Sequence, residues 1–271
     1  MFECVINVSE GRDHDILDQI AATCSGSLRD LHRDAFHNRS VFTLINDAPT
    51  LTSDVRALIE SCFRRLDLRR HEGVHPRFGV VDVVPFVALD PERRSTAVGL
   101  RDETGHWIAD NFDVPVFFYG PLDGGVRTLP EIRRLAFTSL KPDVGPDEAS
   151  PKLGAVAVGE RPVMLAWNIW LRGVALERAR HLAAGVRRPE VRSLAFRAGD
   201  QVQVSCNLIT PDAVGPAVVY DEVLAQLGPG EEVDHAELVG LAPMSVLRSV
   251  DRVRWTQLGL SEESTIEGRL A

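Results

Sequence analysis

The densest run of chemically capable side chains is Arg70-His71-Glu72-Gly73-Val74-His75-Pro76-Arg77-Phe78-Gly79, with Asp82 just beyond it. His71 and His75 stand four apart, the spacing that would put two metal ligands on one helical face. Pro76 disfavours helical geometry at His75, Gly73 weakens a helix further, and no third ligand follows in a recognisable pattern. No metal is therefore expected. The alternative chemistry is proton transfer, because an imidazole titrates near neutral pH and can take and return a proton within one turnover. Held before a proline, with Arg77 and Asp82 beside it, His75 is a candidate general acid/base. A surface histidine bonded to the backbone would look the same, and the run alone does not choose between the two.

The elements around this run must position it. Phe2 to Val8 predicts a buried strand ending at Asn7-Val8-Ser9-Glu10-Gly11, with Ser9 as the cap of a helix through Asp13 to Thr23. Leu28 to Asp34 and Ser40 to Asn46 predict short strands around a polar bend carrying His37, Asn38 and Arg39. Thr52 to Leu68 predicts a helix, since Val55, Leu58, Ile59, Cys62, Phe63 and Leu66 recur at steps of three and four. Arg69 to Phe78 has no apolar period and predicts a loop. Strand Val80 to Val87, helix Arg93 to Phe112 and strand Val114 to Tyr119 follow. Ser139 to Gly159, rich in Pro, Gly, Asp and Ser, predicts a functional loop or a linker. Beyond it the rhythm returns: strand Val163 to Ile169, helix Val174 to Ala184, a hairpin of Val191 to Ala198 with Gln201 to Leu208 about Gly199-Asp200, helix Ala213 to Leu227 and strand Val233 to Leu241. Two βαββαβ units are expected, residues 1–162 and 163–271.

The 271 residues are 44% hydrophobic and 25% charged, ample for buried cores. Thirty Lys and Arg against thirty-nine Asp and Glu leave a net charge of −9, which argues against nucleic acid and anionic membrane as partners. The four cysteines show no zinc or disulfide spacing and are expected to be buried thiols. With no signal-like start and no apolar run of membrane length, a soluble cytoplasmic protein is expected.

The form His-x-Gly-x-His-Pro-Arg-x-Gly-x-x-Asp-Val-x-Pro-Phe, from His71 to Phe86, resembles the glutamate formiminotransferase family, including the transferase half of formiminotransferase-cyclodeaminase. Asn7-Val8-Ser9-Glu10-Gly11, His37-Asn38-Arg39-Ser40-Val41-Phe42-Thr43, Val114-Pro115-Val116, Tyr119-Gly120 and Pro142-Asp143-Val144-Gly145-Pro146 are similar to further family segments, in order. Ala166-Trp167-Asn168-Ile169, Val202 to Leu208 and Glu237 to Pro243 extend the resemblance over nearly the whole chain.

The resemblance implies an α+β fold of two ferredoxin-like subdomains, the C-terminal one shortened, with the ligand site between them. It implies transfer of the formimino group from N-formimino-L-glutamate to N5 of tetrahydrofolate, here a co-substrate, with no metal. His75 would be the catalytic histidine. The folate-contacting segment would be Gly145, Pro146, Asp147, Glu148, Ala149, Ser150, Pro151, Lys152, Leu153 and Gly154. Substrate carboxylates would need cations, for which Arg39 and Arg77 are candidates, with Lys152 for the folate tail. Glu10, Asp34 and Asp82 are candidate carboxylates for the amidinium of the donor. The resemblance also implies a homodimer. One family acidic position is occupied by His32, between Asp30 and Asp34 on the same alternation. That departure and the short C-terminal unit support the alternatives of a catalytically silent folate- or partner-binding relative, or a transferase for a related one-carbon donor.

Overall fold

The computed structural model describes residues 1–73 and 77–271. The chain divides into two compact units, Met1–Pro162 and Val163–Ala271. The first begins with β1 (Phe2–Val8), α1 (His14–Ala22), β2 (Leu28–Asp34), β3 (Arg39–Asn46), α2 (Ala48–Arg65) and β4 (Val81–Ala88). β1 pairs antiparallel with β3 and β4, and β2 pairs antiparallel with β3. This β2-β3-β1-β4 order, with a helix in each crossover, is the ferredoxin-like βαββαβ arrangement. The sheet then grows beyond β4 through α3 (Arg94–Phe112), β5 (Val116–Leu122), β6 (Gly125–Arg127), α4 (Leu129–Leu135) and β7 (Val156–Glu160). β7 inserts between β4 and β5 and is parallel to both, giving seven strands in the order β2-β3-β1-β4-β7-β5-β6.

The second unit contains β8 (Leu165–Arg172), α5 (Leu176–Gly185), β9 (Val191–Ala198), β10 (Gln201–Leu208), α6 (Pro216–Leu224) and β11 (Glu232–Val239). Its order β11-β8-β10-β9, antiparallel throughout, is the same topology on four strands. Gly199, at φ +61°, supplies the left-handed backbone of the two-residue hairpin turn between β9 and β10.

Alternation along the strands of the first unit gives its sheet two unlike faces. Phe2, Cys4 and Ile6 of β1 join Phe42, Leu44, Val84 and Phe86 in a core with Leu17 and Ile20 of α1 and Val55, Leu58, Ile59 and Cys62 of α2. Glu3, Val5 and Asn7 take the other face, opposite Ile45, Thr43 and Val41 of β3. On β2, Asp30, His32 and Asp34 pair with Thr43, Val41 and Arg39, so that face carries the polar residues of three strands. All four cysteines are free and buried.

Three local expectations are corrected. Ser9 does not cap α1: its hydroxyl donates to the Gly79 carbonyl at 2.8 Å, and Asp13 caps the helix by accepting from the Ile16 amide. α2 starts a turn early, because Asp47 accepts from the Thr50 amide and Pro49 sits where no helical N–H is needed. The stretch Ser139 to Gly159 is not all loop, since its end is β7 in mid-sheet. All five residues of β7 are buried, so the short run Val-Ala-Val-Gly-Glu lacks the alternation of a half-exposed strand.

Candidate active site

Four segments meet at the C-terminal end of β1 and the N-terminal ends of β4 and β7. They are the turn after β1, the bend between β2 and β3, the run after α2, and the segment before β7. Asp82, at the start of β4 and almost fully buried, joins them. Its Oδ1 accepts from the Phe78 amide at 2.7 Å. Its Oδ2 lies 2.6 Å from Arg133 Nη2 and 3.4 Å from Arg39 Nη1. Arg39 Nε also donates to Asn7 Oδ1 at 3.2 Å. Burial pulls the Arg39 pKa down and the Asp82 charge opposes that pull. With both oxygens engaged, Asp82 anchors the loop end and organises cations, rather than standing open to an amidinium.

The loop itself is braced from within. His71 Nε2 lies 2.7 Å from the Asn38 carbonyl, which only accepts, so Nε2 carries the proton. Nδ1 is then the acceptor for Arg77 Nη1, whose guanidinium also donates to the carbonyls of His71 and Gly73. Burial and the Arg77 charge lower the His71 pKa, against the opposing pull of the Asn38 carbonyl and the Glu10 charge. Both ring nitrogens of His71 are committed to structure. Asn38, at φ +48°, accepts from the Gly11 amide and donates to the Glu72 carbonyl, each at 2.9 Å. It thereby ties the strand bend to the loop and to the turn after β1. His75, with Val74 and Pro76, lies outside the described residues.

The segment Gly145 to Gly154 packs directly on this loop. Val80 N donates to the Leu153 carbonyl at 2.9 Å, Ala155 N to the Phe78 carbonyl at 3.0 Å, and Leu68 N to the Lys152 carbonyl at 2.8 Å. Ser150 and Gly154 exchange backbone hydrogen bonds, closing a tight turn through Pro151, Lys152 and Leu153. Lys152 Nζ donates to the Phe63 carbonyl in the last turn of α2 at 3.0 Å. Asp147 is exposed and pairs with Lys141 at 3.4 Å. Gly154 sits at φ +75°, and a Cβ there would lie 2.5 Å from the Phe78 carbonyl oxygen and 2.6 Å from Gly79 Cα. Gly154→Ala is therefore expected to destabilise by roughly 2–4 kcal/mol, combining left-handed strain with overpacking against backbone. Urea denaturation measures it, and a loss below about 1 kcal/mol would mean that the two segments separate without penalty.

The remaining acidic candidates are also built in. Glu10 Oε1 accepts from the amides of Gly11, Arg12 and Asp13 at 2.7–2.9 Å. Asp34 Oδ1 accepts from the His37 amide at 2.8 Å, and its Oδ2 lies 3.7 Å from His37 Nε2. One contributor escapes a reading of motifs: Arg133 comes from α4, with no signal beyond a basic pair at a helix end. Asn38 is legible within the His37-Asn38-Arg39 segment, and asparagine is the side chain that best tolerates left-handed backbone. No group of three or more His, Cys, Asp or Glu among the described residues is placed to hold a metal ion.

Residues 1–161 match the N-terminal subdomain of the formiminotransferase domain. The chain belongs to the formiminotransferase family. It is 31% identical to the glutamate formimidoyltransferase of Thermoplasma acidophilum, over all of this chain and 97% of that protein. It is 27% identical to the glutamate formimidoyltransferase of Streptococcus pyogenes serotype M1, covering 92% and 91% of the two chains. It is 28% identical to the formimidoyltransferase-cyclodeaminase of Sus scrofa, over 91% of this chain and 51% of that protein. The chain thus spans about half the length of that two-function relative. The formiminotransferase match to the first unit covers all four segments that meet around Asp82. No helix among the described residues is long and apolar enough to cross a membrane.

Proposed function

We propose that the chain transfers the formimino group of N-formimino-L-glutamate to N5 of tetrahydrofolate and releases L-glutamate, with His75 as the general acid/base. Family membership makes it a group-transferring enzyme; the substrates and the proton carrier are the proposal. The observation that supports it is the backbone pairing of Leu153 and Ala155 with Val80 and Phe78, which joins the end of the segment expected to hold folate to the residues that follow His-Pro-Arg in the chain.

The chemistry asks for one group that works twice. As N5 bonds to the formimino carbon it must lose a proton, and as the old carbon–nitrogen bond breaks the glutamate nitrogen must gain one. His75 takes the first proton and returns it to the second nitrogen. His71 cannot exchange with it in this role, because both of its ring nitrogens are already bonded. Arg39, beside Asp82, places positive charge near the substrate carboxylates. Arg77 holds the loop with Nη1 and Nη2 and offers Nε to a substrate. The turn through Gly154 presents backbone closely enough for a flat pterin.

The test mixes purified protein with both substrates and quantifies glutamate and formimino-tetrahydrofolate together. Stoichiometric appearance of the two is expected. His75→Ala should lower kcat by roughly 10²–10⁴-fold with little change in KM. Full activity in that variant would remove His75 from the mechanism, and absence of transfer by the parent protein would remove the substrate assignment.

A further inference from the structure

We infer that Arg133 is a substrate-carboxylate anchor, a role that rests on the transferase reading of the same site. Its guanidinium is tethered at a single corner. Nη2 bonds to Asp82 Oδ2 at 2.6 Å, while Nη1 and Nε meet no partner among the described residues. The carboxylate that tethers it cannot balance it alone. Asp82 is shared with Arg39 through the same Oδ2, and its Oδ1 is occupied by the Phe78 amide. Two guanidiniums therefore converge on one carboxylate; burial lowers the Arg39 pKa and the Arg133 charge adds to that, against the Asp82 and Asp34 charges.

The side chains differ in access. That of Asp82 is 2% exposed, whereas that of Arg133 is 26% exposed, so its uncommitted edge can be reached. An arginine whose position is held at one nitrogen, with a planar N–H edge left over, matches the two oxygens of a carboxylate. α4 fixes its origin, since Ile132 next to it is fully buried against Val83, Phe117 and Tyr119. The donor and the folate tail both carry carboxylates, so the shared chemistry is the carboxylate itself.

The experiment compares the parent enzyme with Arg133→Gln and Arg133→Lys in steady-state transfer. Arg133→Gln leaves Asp82 with Arg39 and the Phe78 amide, and thermal melting checks that it folds. The donor arm sets N-formimino-L-glutamate against its γ-amide and its α-amide. The folate arm sets tetrahydrofolate against the γ-amide and the α-amide of its glutamate tail. In one arm, Arg133→Gln should raise KM roughly 10- to 100-fold, the loss expected for a charge-assisted hydrogen bond, with kcat within a few-fold. In that arm the parent enzyme's preference for the carboxylate substrate over its amide should collapse, and Arg133→Lys should restore part of it. The arm that responds identifies which carboxylate is held. If every preference survives in Arg133→Gln, or kcat falls with both KM values unchanged, Arg133 serves Asp82 alone and the inference is wrong. A parent protein that transfers nothing defeats the transferase reading instead. The same variants and ligands are then compared by titration calorimetry, where unchanged affinities overturn the anchor independently.

Discussion

Asp82→Ala is expected to destabilise the protein by about 3–5 kcal/mol and to abolish transfer. The magnitude follows from removing one partner of a buried ion pair, which leaves the other charge without compensation. Here the loss is threefold. Arg39 and Arg133 are left facing each other without the carboxylate between them, and the Phe78 amide loses its acceptor. Because Phe78 ends the run that carries His75, the same change should loosen the loop. Urea denaturation measures the stability, and amide hydrogen exchange at Phe78 and Val80 measures the local opening. Asp82→Asn separates the two contributions. An amide oxygen can still accept from Phe78, so exchange should stay slow while stability falls through the lost charge. A loss below about 1 kcal/mol for Asp82→Ala would show that the guanidiniums are held by solvent and not by the carboxylate.

Glu3 is expected to make the protein less stable as the pH rises from about 4.5 to about 7. It lies on β1 at 3% exposure, and burial raises its carboxyl from 4.5 to about 7, with the Arg161 charge offsetting part of the rise. Below the unfolded value both states hold the proton and the group has no effect. Between the two values the unfolded chain releases its proton while the folded chain keeps it, so unfolding gains ground. Above about 7 both are ionised and the penalty is fully present. At about 1.4 kcal/mol per unit, the swing is roughly 3 kcal/mol. Glu3→Gln cannot titrate, so its stability relative to the parent should rise by that amount between pH 4.5 and pH 8. Other titrating groups cancel in the difference. Urea midpoints for the two proteins across this range decide it, and a pH-independent difference would mean that Glu3 ionises in the folded state as it does in water.

These two residues mark the limits of what a linear reading finds. Glu3 lies in an apolar run, and nothing in Phe2-Glu3-Cys4-Val5 marks it as a buried acid rather than the outward side of an edge strand. Asp82 was visible as a companion of the histidine loop. Its two arginine partners come from β3 and from α4, some forty residues before it and fifty after, and only folding brings them to one oxygen atom. β7 was hidden for the related reason that a parallel strand buried on both faces has no alternating signature.

Local chemistry in the sequence determined the two βαββαβ repeats and the family, though not β6, α4 and β7 of the first unit. Apolar periodicity, turn residues and motif spacing each act over a few residues and can be read without the fold. The tertiary structure alone decided what each polar side chain is bonded to. It committed His71 and most of Arg77 to bracing the loop, engaged both oxygens of Asp82, joined Lys152 to the end of α2 and brought Arg133 into the site. Those outcomes depend on which donors and acceptors meet when water is excluded, since each buried polar group takes the partner that the converging backbone presents. Spacing along the chain does not encode such partners.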